Sequence, residues 1–192
     1  VFVGTATRIP GARPDIVAAF PLYPDVSSAG WGFMILSNML PNGGNGTFTL
    51  HAVASSIGGE SQVIGTRTIV ADNAASILPF GTIDTPGQGA VVAGLVVNFG
   101  WALTPQPKTI PLDGSTIDVY IDGVLTGHPT YNHFRPDMAG LFPGYANSNG
   151  AVGVYQFDST ILGNGLHTIS WVVRDDAGAF QGVGSRFFSV QN

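Results

Sequence analysis

The sequence of 192 residues contains no cysteine. Disulfides, thiolate metal sites and cysteine nucleophiles are therefore excluded. Charged residues are also scarce, at 10% of the chain, and include a single glutamate, Glu60, and a single lysine, Lys108. Seven basic residues and a formal net charge of −5 cannot form the dense basic surface that phosphate backbones require. Nucleic acid is thus excluded as a partner.

Long apolar runs are missing too. The longest, over residues 89–103, is interrupted by Gly94, Asn98 and Gly100 and is too short for a bilayer, so we expect no membrane span. The sequence starts with Val1, and no charged segment precedes an apolar one. We therefore expect a signal peptide to be absent or already removed.

Turn and strand residues dominate what is present. The chain holds 27 glycines and 13 prolines, and 44% of its residues are hydrophobic, enough for a core. Apolar residues alternate with polar ones in IDVYI from Ile117 and in HTISWVV from His167, and Asp122-Gly123 marks a tight turn. Short strands separated by turns, without a long amphipathic helix, predict an all-β sandwich.

An internal repeat runs through the chain. The stretch RPDIVAAFPLY from Arg13 matches RPDMAGLFPGY from Arg135 at 6 of 11 positions, with an offset of 122 residues. A second block, from Asn45 to Asn73, matches the block from Asn164 to Asn192 with an offset of 119. The difference falls in a turn, where folded modules tolerate insertions.

The repeat predicts two modules. The second would span residues 74–192, and the first, residues 1–73, would lack the counterpart of residues 74–123. A module without its first strands exposes half a core, so we expect a fragment of a longer chain. The alternative is a strand-swapped dimer in which another molecule completes the first copy.

Several stretches carry a resemblance to a known family. The pattern IDVYIDGVLTG, followed by ILGNGLHTISWVVRDDAGA and a terminal FFSV, resembles the bacterial Ig-like (Big) modules of tandem surface proteins. The resemblance implies an immunoglobulin-like β-sandwich in a secreted or surface-attached protein, beside further Ig-like modules of the same parent chain. It implies no catalytic residue.

Charged residues recur at matched positions. Each copy has two arginines and one aspartate, and we expect the aspartate and one arginine to form an ion pair that fixes residues 128–150, or their first-copy counterpart, to the last strand. A ligand-binding arginine is the alternative. The residues are Arg13, Asp15 and Arg67 in the first copy and Arg135, Asp137 and Arg186 in the second.

Aromatic residues suggest a contact surface. Four aromatic residues match between copies and are expected to face the core: Phe20, Tyr23, Phe142 and Tyr145. Four others have no counterpart, or a different residue type, in the other copy: Trp31, Trp101, Tyr131 and Phe134. Tyr131, His133 and Phe134 lie in the long excursion over residues 128–150 and are the candidate ligand contacts. A row of exposed rings would favour sugar binding by stacking.

Acidic turns suggest a calcium site. Asp72 and Asp84 flank the linker between the predicted modules, and Asp175 and Asp176 share one turn. Carboxylates at such positions can hold Ca²⁺, although acidic residues are also ordinary in turns. No other cofactor is expected.

The sequence lacks the motifs of hydrolases and phosphate-binding enzymes, so we expect no enzyme activity. The predicted function is a non-catalytic structural or adhesion module of an extracellular bacterial protein, with loops for weak contacts to a surface protein or glycan. The alternative is a carbohydrate-binding accessory module of a secreted hydrolase.

Overall fold

β-branched and aromatic residues place most of the chain in strands, as the computed structural model shows for all 192 residues. Three short helices, all with proline at or near their start, are α1 (Pro14–Ala19), α2 (Pro41–Gly44) and α3 (Pro136–Leu141). The strands are β1 (Thr7–Arg8), β2 (Trp31–Gly32), β3 (Asn45–Ser55), β4 (Ser61–Asp72), β5 (Phe80–Ile83), β6 (Ala90–Val92), β7 (Leu95–Leu103), β8 (Ile117–Ile121), β9 (Val124–Gly127), β10 (Thr130–His133), β11 (Val152–Asp158), β12 (Gly165–Arg174) and β13 (Phe180–Val190).

The chain forms two units. One consists of residues 1–3 and 34–76, and the other of residues 4–33 and 77–192. The predicted module boundary after Asn73 stays a prediction, and residues 4–33 group with the larger unit. No helix in either unit has the length and apolar character needed to cross a bilayer.

The larger unit contains a sandwich of two sheets and, apart from them, the two-stranded antiparallel sheet β1–β2. One sheet has the order β10-β11-β7-β5 and the other the order β6-β13-β12-β8-β9. Neighbouring strands are antiparallel except β6 and β13, which are parallel. With its strands split between two sheets in this order, the unit has the immunoglobulin-like fold, as predicted.

The core lies between these sheets and is centred on Trp171. Its indole Nε1 donates a hydrogen bond to Asn98 Oδ1 at 2.7 Å, so the one polar atom of the buried ring has a partner. Gly100 and Gly153 leave room for the ring, because a Cβ on either would lie 2.8–2.9 Å from it. The predicted alternation is confirmed: the inward residues Ile117, Val119, Ile121, Ile169, Trp171 and Val173 are all buried.

Two turns show how local sequence sets the strand boundaries. Asp122 and Gly123 both have positive φ (51° and 78°) and connect β8 to β9, which confirms the predicted hairpin. Gly94, with φ 63°, separates β6 from β7. Residues 81–103 therefore contribute to three strands, β5, β6 and β7.

The smaller unit contains a single hairpin, β3–β4. Its register matches that of β12–β13 at positions 119 apart: Gly46 pairs with Ala71 as Gly165 pairs with Val190. The irregularity in the ladder also recurs, between Ala52 and Val53 in β3 and at the equivalent residues of β12.

Candidate functional site

The long excursion over residues 128–150 consists of β10, α3 and a 3₁₀ turn at Ser148–Gly150. Helix α3 starts at Pro136, whose fixed φ suits a first helical position, and Asp137 follows in the first turn. Met138 is buried and anchors the helix on the larger unit.

Aromatic rings hold the end of the excursion against the sandwich. The Phe142 ring lies 5.2 Å from both the Phe80 ring and the Trp101 ring, and the Tyr145 ring lies 5.2 Å from that of Phe80. The contacts of Phe80 with Phe142 and Tyr145 are edge to face, a geometry that stabilises aromatic pairs beyond the area they bury. Core-facing positions are thus confirmed for Phe142, whereas Tyr145 is half-buried.

The equivalent rings of the first copy are placed differently. Phe20 and Tyr23 contact each other edge to face at 5.8 Å but are 50% and 68% exposed. The expectation that they face a core is wrong, because Phe80 and Trp101, which cover the second pair, have no counterparts in the first copy.

An ion-pair cluster ties the excursion to the segment after β5. Arg135 Nη1 contacts Asp84 Oδ2 at 2.5 Å, and Arg135 Nε contacts Asp137 Oδ1 at 3.0 Å. The hydrogen bond from Arg135 lowers the pKa of Asp137 below its usual value. Asp137 does pair with an arginine, but its partner is Arg135 of the same excursion, so this pair does not fix the excursion to the last strand as predicted. The second partner of Arg135, Asp84, follows strand β5 in the other sheet.

The last-strand arginine has another role. Arg186 Nη2 donates a hydrogen bond to the Ile83 carbonyl at 2.6 Å, linking β13 to β5 across the sandwich. Burial lowers its pKa from the ordinary value of arginine. In the first copy Arg13 pairs with Asp15 at 2.7 Å, while Arg67 in the smaller unit donates to the Thr66 carbonyl.

The three candidate ligand contacts do not share one environment. Tyr131 is 7% exposed and its hydroxyl donates to the Ala102 carbonyl at 2.7 Å, so its ring belongs to the core. Burial raises its pKa. His133 is exposed and bonds to Thr130 Oγ1 at 2.9 Å, and Phe134 is 74% exposed. Ligand contact by His133 and Phe134 stays a prediction, whereas burial corrects the placement of Tyr131 at the surface.

The predicted calcium ligands do not form one cluster. The buried Asp175 carboxylate lies 3.0 Å from Lys108 Nζ and accepts backbone N–H bonds from its own turn. Asp176 accepts bonds from the amide and hydroxyl of Thr109. No group of three histidine or acidic side chains has a metal-binding arrangement. Asp84 pairs with Arg135, and Asp72 accepts a hydrogen bond from the Ala75 amide. Calcium binding at these residues stays a prediction.

One histidine–aspartate pair was not predicted. His167 Nδ1 lies 2.6 Å from Asp122 Oδ2, and its Nε2 lies 2.8 Å from the Gly163 carbonyl. Both ring nitrogens are engaged, so the arrangement joins the β8–β9 turn to β12. The sequence identified Asp122 only as a turn residue. Its contact with His167, 45 residues away, depends on the pairing of β8 with β12 and has no local signal.

The chain resembles known proteins in structure but not detectably in sequence. No protein-family model matches the chain. No curated protein matches it significantly either. Among solved structures, the chain is similar to the fibronectin(III)-like modules of Clostridium thermocellum CbhA (18% identity, TM-score 0.40), covering 77% of this chain and 63% of that one. It is also similar to the endo-β-1,4-mannanase from Thermotoga petrophila (12% identity, TM-score 0.42), covering 62% of this chain and 21% of that one.

Proposed function

We propose that the chain is a non-catalytic, load-bearing module of an extracellular protein, which holds its excursion outward for contact with another protein. The observation that carries the proposal is the parallel pairing of β6 with β13. Strand β6 lies near the start of the sandwich sequence and β13 at its end. The extracellular setting rests on the resemblance to surface modules.

Parallel pairing of these strands has a mechanical consequence. When residues 77 and 191 are pulled apart, β6 and β13 are drawn in opposite directions along their length. The hydrogen bonds of this ladder, in which Phe188 lies opposite Ala90 and Val190 opposite Val92, are then loaded together and not one after another. A link of this kind resists force, as expected for a spacer between other modules.

The excursion supports the second half of the proposal. It is fixed at one end by the Arg135–Asp84 contact and at the other by Phe142, and it exposes Phe134 and Leu141. A fixed backbone with exposed apolar side chains loses little entropy on binding. This favours protein contact.

Force spectroscopy on the full chain tests the proposal. Because the chain has no cysteine, the substitutions Ile77→Cys and Gln191→Cys provide unique attachment points. Val92→Pro removes a backbone donor of β6 that faces β13, because the Val92 carbonyl on the same side accepts the Gln191 amide, and we expect it to lower the unfolding force. Leu125→Pro, the matched change in edge strand β9, lies outside the loaded pair and should lower thermal stability with little effect on force.

Equal forces for the parent chain and Val92→Pro would contradict the load-bearing role. The contact role is tested separately, on arrays of matrix proteins and glycans probed with the full chain and with Phe134→Ala. Protein binding that Phe134→Ala weakens would support the proposal. A glycan signal that depends on Trp31 or Phe134 would instead favour the carbohydrate-binding alternative.

A further inference from the structure

The hairpin β3–β4 of the smaller unit has a fully packed equivalent within the same chain. The two hairpins share register and ladder irregularity, and their ends are fixed in the same way. Ser37 Oγ bonds to Asn73 Oδ1 at 2.9 Å, and Ser159 Oγ bonds to Asn192 Oδ1 at 2.9 Å. Hairpin β12–β13 therefore indicates which partners hairpin β3–β4 is built to take.

In the larger unit, both edges of hairpin β12–β13 are paired. Strand β8 runs antiparallel along β12, with Ile121, Val119 and Ile117 opposite Ile169, Trp171 and Val173. Strand β6 runs along β13. All six residues of the β8–β12 pairing are buried, so edge pairing and core formation go together here.

In the smaller unit the same positions are uncovered. Strands β3 and β4 pair only with each other, which leaves a free edge on each. Ile64 is 56% exposed, whereas its equivalent, Val183, is 4% exposed. Ala54, the equivalent of the buried Val173, is also exposed. A long free edge with apolar side chains is a template for strand addition.

The aromatic residues of the first copy also lack contacts that residues 74–123 provide in the second copy. Within the larger unit, Phe142 and Tyr145 are covered by Phe80 and Trp101, which belong to residues 74–123. Their first-copy equivalents, Phe20 and Tyr23, are exposed. Strands β6 and β8, which cover the second hairpin, belong to the same stretch of residues 74–123.

We infer that the edge of β3 binds an extended segment from outside residues 1–192, antiparallel, with aliphatic residues at alternate positions as in β8. The register of β8 on β12 places these three side chains opposite Leu50, Ala52 and Ala54. Pairing adds main-chain hydrogen bonds along β3, and the aliphatic side chains cover its apolar face.

A second molecule of these 192 residues is a poorer occupant than a separate segment. Each molecule has one stretch like residues 74–123, and the larger unit already uses it. If two molecules exchanged that stretch, hairpin β3–β4 would be covered only where hairpin β12–β13 lost its cover. The occupant must bring a strand of its own.

Binding of a labelled peptide to the full chain tests the inference. The peptide covers residues 113–124, DGSTIDVYIDGV, and the control peptide carries serine at the positions of Ile117, Val119 and Ile121. We expect saturable binding by fluorescence anisotropy, about tenfold tighter for the native peptide than for the control. Hydrogen exchange should slow at alternate amides of β3 when the peptide is bound.

Two protein variants locate the binding. Ala54→Lys places a charge on the face that meets the peptide and should weaken binding about tenfold. Thr49→Lys places the same charge on the opposite face of β3 and should leave binding unchanged. Both positions are exposed, so neither change disturbs a core.

Three results would overturn the inference. These are no saturable binding, equal affinity for the two peptides, and protection mapped to β12 and not to β3. A dimeric mass by light scattering, with β3 amides already protected in the absence of peptide, would also overturn it and assign the edge to a second copy. Because no result depends on pulling force, failure here is distinguishable from failure of the load-bearing role.

Discussion

At the scale of single residues, polar side chains in this chain mainly connect strands. Asp175 is the clearest case: its buried carboxylate meets Lys108 Nζ and Thr104 Oγ1, each at 3.0 Å. Burial opposes the charged form of Asp175, but the hydrogen bonds from Lys108 and Thr104 outweigh it and lower its pKa. A buried charge with this many partners is a structural contact.

The pair of His167 and Asp122 gives a pH-dependent prediction. Burial opposes the charged form of His167, but the hydrogen bonds to Asp122 and Gly163 outweigh it and raise the pKa above its ordinary value. A raised histidine pKa stabilises the fold fully below the unfolded value of about 6.5. That contribution is lost as the pH rises through the folded pKa.

We therefore expect His167→Gln to reduce the free energy of unfolding more at about pH 5.5 than at about pH 8.5. Denaturant titration at both pH values measures the difference. His51→Gln is the control, since His51 is exposed and bonds only to Thr66 Oγ1. An equal loss at both pH values for His167→Gln would refute the ionic contribution.

At the scale of elements, the excursion and the core glycines show what holds the sandwich together. Arg135 and Arg13 occupy matched positions, and each pairs with the aspartate two residues later. Only Arg135 also reaches a distant residue, Asp84, 51 residues away. The two arginines therefore form a matched experiment on the value of the longer contact.

Arg135→Ala should lower the free energy of unfolding by about 1 kcal/mol, since the side chain is partly exposed and solvent weakens the pair. Arg13→Ala removes only a local, exposed pair and should leave the stability almost unchanged. Thermal denaturation of both variants provides the comparison. An unchanged melting temperature for Arg135→Ala would remove its structural role.

Gly100 gives a packing prediction. A Cβ at this position would lie 2.8 Å from the Trp171 ring and 2.9 Å from the Thr82 carbonyl, which is backbone and cannot rotate away. We expect Gly100→Ala to destabilise the chain by about 1–3 kcal/mol in denaturant unfolding. Gly163→Ala, where a Cβ meets nothing within 4 Å, should have little effect. Similar stability of both variants would mean that the Trp171 pocket is not tightly packed.

The sequence predicted local features better than contacts across the sandwich. Alternation in Ile117, Val119 and Ile121 identified one inward face, and Asp122-Gly123 identified a turn, because both signals lie within a few residues. The contact of Arg135 with Asp84 was not predictable, because the two residues are 51 apart in sequence and only the order of strands in the sheet brings them together. Tyr131 was placed at the surface for the same reason: its burial depends on the neighbouring sheet.

At the scale of the whole chain, the strands form one sandwich with paired strands around its hairpin and one hairpin with free edges. Strand β12 has a partner on each side, β13 and β8, whereas β3 has only β4. The two hairpins have the same register, so the difference lies in what covers them. The proposed binding of a strand along β3 depends on this contrast.

Amide hydrogen exchange on the full chain tests the contrast most directly. The account predicts slow exchange at successive amides along β12, and fast exchange at every second amide of β3, where no partner strand accepts the hydrogen bond. Uniformly slow exchange along β3, matching β12, would contradict it, because the edge would then already be covered.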